Sequence, residues 1–196
     1  MLWGTWLSGS TSSTFDCGFL PVRKERKRLV SFGLKQGKAR EMRRKDRELN
    51  RSDAIKLLIE SEYGILSTTD KSGQPYGVPL NYVYKDNCIY LHSAFEGHKI
   101  ENIRNNPKVS FCAIAKARVI PSRFSTEYES VVVFGNASEV VGTERYGALL
   151  LLLEKYSPEF MEEGRSYIEK HVEAAKVIKI SISHISGKAS PAKSKV

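Results

Sequence analysis

Cysteine is scarce in this chain. Cys17, Cys88 and Cys112 are the three in 196 residues. They are too few and too scattered for a disulfide framework or a zinc site. Long apolar runs are missing too. The longest aliphatic stretch, Leu149 to Leu153, is five residues, against the ~20 that a membrane-spanning helix needs. The sequence holds no G-x-G-x-x-G, no Walker A loop, no G-x-S-x-G and no H-E-x-x-H, which removes the usual sequence signs of dinucleotide folds, P-loop enzymes, serine hydrolases and zincins. With 27% charged residues and ample Ile, Val, Leu and Tyr, wholesale disorder is excluded as well.

Acidic charge is in deficit only at the ends. The net charge is +9, but residues 1–50 hold 12 Lys and Arg against 5 Asp and Glu. Residues 51–187 hold 16 against 17, and the tail from Lys188 onward adds three lysines and no acid. A nucleic-acid-binding domain would carry its positive charge on the folded body. The distribution therefore predicts no nucleic-acid partner and reads the basic ends as solvated chain. Met1 to Leu20 lacks the charged start and apolar block of a secretory signal, and Asp16 and Glu25 argue against a transit peptide. Residues 1–41 are expected to be an unfolded extension containing the basic cluster at 23–28, residues 42–188 the folded domain, and residues 189–196 a flexible basic tail. A cytoplasmic location is expected, with no membrane association.

Periodicity predicts a mainly β chain. A helix opens near Ser52 and Asp53, with Ile55, Leu58 and Ile59 on one face, and ends around Tyr63. Six strands are expected at Ile65 to Thr69, Tyr76 to Tyr84, Cys88 to Ser93, Lys108 to Arg118, Ser130 to Val141, and Lys176 to Ile185. Pro79 within the second strand cannot donate to a ladder, so that strand belongs at an edge, at a bulge, or beside a ligand. Short helices are expected over Gly97 to Asn106, from Thr143 to Tyr156, and from Glu159 to Val172. Strands joined mostly by hairpins, without regular strand–helix alternation, point to an antiparallel barrel with peripheral helices.

The densest cluster of reactive residues is His92-Ser93-Ala94-Phe95-Glu96-Gly97-His98-Lys99. It leaves a strand and enters a helix at Gly97. A helix N-terminus presents unpaired N–H groups and partial positive charge, which suits a phosphate. Gly97 allows close backbone approach, Ser93 offers a hydroxyl and Lys99 a full charge. On its own such a loop is more often a capped helix with an exposed lysine. His92 is either a satisfied core histidine or a proton donor at a cavity mouth. His171 and His184 have no partners at metal-ligand spacing, and no metal site is expected.

Further blocks occur in order along the chain: Met42-Arg43-Arg44-Lys45-Asp46-Arg47-Glu48, Gly73-Gln74-Pro75-Tyr76-Gly77-Val78-Pro79-Leu80, the His92 to Lys99 loop, Asn106-Pro107-Lys108-Val109-Ser110-Phe111, Tyr128-Glu129-Ser130-Val131-Val132-Val133-Phe134-Gly135, and His184-Ile185-Ser186-Gly187-Lys188. From Met42 to Lys188 these resemble the FMN-binding split-barrel superfamily related to pyridoxamine 5′-phosphate oxidase, and more narrowly its 5-nitroimidazole resistance (Nim-type) branch.

The resemblance implies a six-stranded antiparallel split barrel that forms a homodimer, with FMN, or FAD in its place, at the subunit interface. Lys99, His98 and Ser93 would meet the phosphate, helped by Ala94 and Gly97. Val78, Pro79, Leu80 and Asn81 would run along the flavin ring. His92 would lie near flavin and substrate as the catalytic proton donor, and Tyr128, Ser130, Val131 and Val132 would come from the other subunit. The implied activity is an FMN-dependent, nitroreductase-like oxidoreductase acting on nitroimidazole-like or other small electron-poor compounds, with NAD(P)H or a protein carrier as electron donor. A non-catalytic flavin-binding protein and a haem- or deazaflavin-using enzyme on the same barrel are the alternatives. The chain lacks the arginine- and histidine-containing carboxy-terminal motif of true pyridoxine-phosphate oxidases, which speaks against vitamin B6 oxidation.

Overall fold

The computed structural model describes residues 41–190. The expected extension, its basic cluster and the end of the basic tail lie outside the described residues. Within them the order is β1 (Glu48–Leu49), α1 (Arg51–Glu60), β2 (Tyr63–Thr69), β3 (Pro75–Asn81), β4 (Val83–Lys85), β5 (Cys88–Ser93), α2 (His98–Asn105), β6 (Lys108–Ile120), β7 (Ser125–Val140), α3 (Gly142–Tyr156), α4 (Met161–His171) and β8 (Lys176–Ser190).

All pairings are antiparallel, in the order β3-β2-β6-β7-β8-β5-β4, with β1 added to β8. The two edges of this sheet, β3 and β4, are consecutive in the chain and separated only by Tyr82. One bent strand therefore pairs with β2 through its first half and with β5 through its second. That curls the sheet into a split barrel. The six expected strands are all present. The second is broken at Tyr82 and β1 is new, which makes eight.

Tyr82 explains the break. Its N–H donates to the Tyr156 hydroxyl at 2.9 Å, and that hydroxyl shares its proton between the Glu62 carbonyl at 2.5 Å and the Tyr82 carbonyl at 2.8 Å. The main chain at the corner is thus satisfied by a side chain of α3 instead of a ladder partner. The ring is fully buried, edge-on to Phe111 at 4.7 Å, and its hydroxyl donates to the Leu58 carbonyl at 2.6 Å.

The inward faces of the strands form the core, with Leu66, Ile89, Leu91, Phe111, Val131, Val133 and Ile180 all fully buried. Helix α1 adds Ala54 and Leu58, and α2 adds Ile100 and Ile103. The N-cap of α1 is Asn50, not Ser52 or Asp53. Its side-chain oxygen accepts the Asp53 N–H at 2.9 Å, while Ser52 turns its hydroxyl to the same oxygen. Asp86 and Asn87, both at positive φ, make the two-residue turn from β4 to β5.

Three strands are longer than periodicity indicated. β6 and β7 continue to a turn at Pro121–Arg123, and β8 continues to Ser190, past the expected start of the tail at Ala189. A register shift at Phe134/Gly135 opposite β8 interrupts the alternation that would have revealed the extension.

Candidate functional site

Strand β5 delivers the reactive loop. Successive side chains on a strand face opposite ways. Ser93 is buried and faces inward, whereas His92 is exposed on the outer face and pairs with Val177. The structure therefore separates these two neighbours instead of grouping them. The Ser93 hydroxyl donates only to the adjacent Ala94 carbonyl, at 3.0 Å.

After Ala94 and the exposed Phe95 and Glu96, Gly97 caps α2 at φ +127°, a region that disfavours any other residue. No side chain caps the first turn, and the space where a Gly97 side chain would stand is open. Lys99 is half-buried beside it. His98 lies edge-on to Tyr76 of β3 at 5.5 Å, and Asn102 donates to Thr68 of β2 at 3.0 Å. These contacts fix the α2 N-terminus next to the start of β3.

Sequence reasoning missed Lys176. It is the register partner of Ser93, is buried, pairs with Glu139, and stands 5.8 Å from the Phe95 ring. Its even number puts it on the side of Ile178, Ile180 and Ile182, so strand parity carried the signal.

Strand β3 divides the expected ring-lining residues. Val78 and Leu80 pack on the core, while Pro79 and Asn81 face out, on the edge expected for a strand containing Pro79. Register places Pro79, Ile65, Cys112, Val132 and Ser186 in one outward row across five strands, and Gly77, Ser67, Ser110, Phe134 and His184 in the next. Ile65, Ile114 and Phe134 are 37%, 46% and 45% exposed on this face. The result is an outward surface of small residues with apolar neighbours. Ser130 and Val132 share it. Val131 does not, because its side chain is fully buried in its own barrel and its main chain is paired on both sides. Tyr128 is at the same outer level, where Arg47 donates to its hydroxyl at 3.2 Å and Lys188 lies 5.6 Å from its ring. Arg47 chiefly, then Lys188, lowers the phenol's pKa.

At the far end of β3, Pro79, Leu80 and Asn81 form one wall of an open cleft of about 660 Å³, closed by Tyr63 and by Lys155 and Tyr156 of α3. Burial lowers the Lys155 amine to about 8 and raises the Tyr156 phenol. Among the described residues no helix is long and apolar enough to cross a membrane.

Fold and strand arrangement define the class, an antiparallel split barrel. The comparisons give the family. The model for pyridoxamine 5′-phosphate oxidase matches residues 50–189, and the chain belongs to that family. No curated protein sequence matches it. Among solved structures, a candidate 5-nitroimidazole antibiotic resistance protein from Bacteroides thetaiotaomicron is 25% identical, with a TM-score of 0.63 over 72% of this chain and 86% of that one. A FAD-binding protein from Mesorhizobium loti is 28% identical, with a TM-score of 0.50 over 74% of this chain and 98% of that one. An FAD and haem binding protein from Mycobacterium smegmatis shares the fold at 17% identity, with a TM-score of 0.65 over 75% and 74% of the two chains.

Proposed function

We propose that this protein is a flavin-dependent oxidoreductase that reduces nitroimidazole-like or other small electron-poor compounds, working as a homodimer in the cytoplasm. The observation that carries the reading is the uncapped N-terminus of α2 at Gly97, with Lys99 in its first turn, open space before it, and the Ser93 hydroxyl, here turned to the Ala94 carbonyl, four residues upstream. A phosphate dianion fits this donor set, since it can accept from free N–H groups, a hydroxyl and an ammonium together. The His98–Tyr76 contact joins that point to β3. From Tyr76 to Asn81 the strand spans roughly 17 Å, and its outward side carries Gly77 and Pro79, the first members of the two outward rows.

FMN suits this layout, with its phosphate at α2 and its ring along β3. FAD would share the same anchor. When bound, the flavin supplies the electron transfer, fed by NAD(P)H or a protein carrier. The chain's own residues orient and shield. Lys99, His98 and Ser93 hold the charged end, Pro79 and Asn81 border the ring, and His92 on the outer face serves as proton donor. The exposed apolar face across β3, β2, β6 and β7 is the surface for a second copy, because contiguous apolar area of this kind marks an interface. Ser130 and Val132 on that face then meet the partner's ligand.

Two measurements test this. Lys99→Ala should weaken flavin binding by about 10- to 100-fold, the loss of one charge-assisted hydrogen bond, read as flavin absorbance retained after desalting. Unchanged retention would remove α2 as the anchor. Ile65→Glu, in the centre of the apolar face, should convert dimer to monomer in sedimentation while leaving the circular dichroism unchanged. A dimer that persists would move the interface elsewhere.

A further inference from the structure

The cleft at the end of β3 contains a lysine that the flavin reading does not use. The Lys155 amine donates to the Ser61 carbonyl at 2.8 Å and stands 4.2 Å from the Tyr82 ring centre and 5.3 Å from that of Tyr156. No carboxylate pairs with it among the described residues. An amine taken from water without a counter-ion favours its neutral form, and a neutral amine has a free lone pair. Lys155 is one of the residues that line a cleft of about 660 Å³, enough for a small ring compound. Tyr63 and Leu80 provide apolar wall, and the Asn81 amide a polar contact.

We propose that this cleft is a carbonyl site, in which the Lys155 amine condenses with a small aldehyde or ketone to form an imine. The nitrogen lone pair attacks the carbonyl carbon and forms the C–N bond. The carbonyl oxygen then leaves as water with the two amine hydrogens, which completes the C=N bond. No electrons are gained or lost, so no oxidant or reductant is required.

The surroundings set the working pH. Besides Lys155, the titratable groups lining the cleft are Glu60 and Glu62 on the α1 side, Tyr63 from β2 and Tyr156 on α3, and the buried Tyr82 ring lies against the amine. Burial holds Tyr82 and Tyr156 above the ordinary phenol range, so neither changes charge near pH 8. Lys155, lowered by burial to about 8, does. At that pH its neutral fraction exceeds that of an ordinary lysine by about 100-fold.

The test uses the protein as purified, with benzaldehyde as probe, cyanoborohydride to trap the imine, and peptide mass spectrometry from pH 6 to 10. A single adduct at Lys155 is expected, half-maximal near pH 8, with the exposed Lys56 and Lys85 labelled at least ten-fold less at that pH. Lys155→Arg, which keeps a cation and donor at Ser61, should lose the adduct while retaining its thermal midpoint. Uniform labelling of all lysines, or labelling of Lys155 last, would overturn the proposal. The wild-type site map decides this even if the variant folds poorly. The cleft shares Pro79 and Asn81 with the wall proposed for the flavin ring, so labelling is read on flavin-loaded and on flavin-free protein, each with a visible spectrum taken first. Lys155 unlabelled in both defeats only this inference, and a labelled Lys155 in protein that never takes up flavin defeats only the other.

Discussion

Tyr82→Ala should destabilise the protein by about 3–5 kcal/mol, the usual range for deleting a buried aromatic ring. Thermal unfolding would show a loss of roughly 10 °C for a domain of this size. The expectation rests on position as much as volume. Tyr82 is the one residue between the two sheet edges, so the barrel closes through it. Removing the ring empties the space beside Phe111 and frees the Leu58 carbonyl, which the Tyr82 hydroxyl caps at 2.6 Å. Tyr82→Phe separates the contributions. It keeps the packing and loses only that hydrogen bond, for about 1–2 kcal/mol. Equal effects from the two variants would mean that packing at the corner contributes little.

Gly135→Ala should cost about 3 kcal/mol, at the upper end for overpacking. A methyl group there would lie 2.4 Å from the Ser181 main-chain oxygen and 2.8 Å from Ile180. That oxygen belongs to β8 in the ladder with β7, next to the register shift, so it cannot step aside without moving the strand. Gly164→Ala supplies the contrast. Its methyl would also approach closely, at 2.3 Å, but to the Leu153 side chain, which can change rotamer. Gly164 also sits within α4, where alanine is the better helix former. The two variants should differ by at least 2 kcal/mol in denaturant unfolding, with Gly135→Ala the weaker. Matching midpoints would mean that β8 yields at Ser181.

The contrast reflects what local sequence can and cannot convey. Alternation and turn residues made six strands legible, because each signal is complete within a dozen residues. The bend at Tyr82 was not legible, since its cause is the hydroxyl of Tyr156, 74 residues away in the chain. The end of β8 was hidden for a related reason. Ser186, Gly187 and Lys188 break the apolar alternation that ends at Ile185, yet they pair with β7, and Gly187 is small because Ala54 and Leu49 pack against it.

The site divides in the same way. The loop from Ser93 to Lys99 was recognisable from a strand end, a glycine and a lysine in sequence. Parity already implied that His92 and Ser93 face apart and that Lys176 faces the core, but a lysine at the mouth of a barrel is visible as such only once the strands are in register. Lys155 gave no signal. It ends a leucine-rich helix in the manner of an ordinary solvated residue, and its burial arises from docking α3 onto Tyr82.

The visible absorption spectrum bears most directly on the central claim, that the β5–α2 junction of this barrel anchors a flavin. Protein saturated with FMN and then desalted should retain flavin bands at one flavin per protomer, and Lys99→Ala should lose most of them. A colourless wild-type protein, or a Soret band in place of the flavin bands, would contradict it.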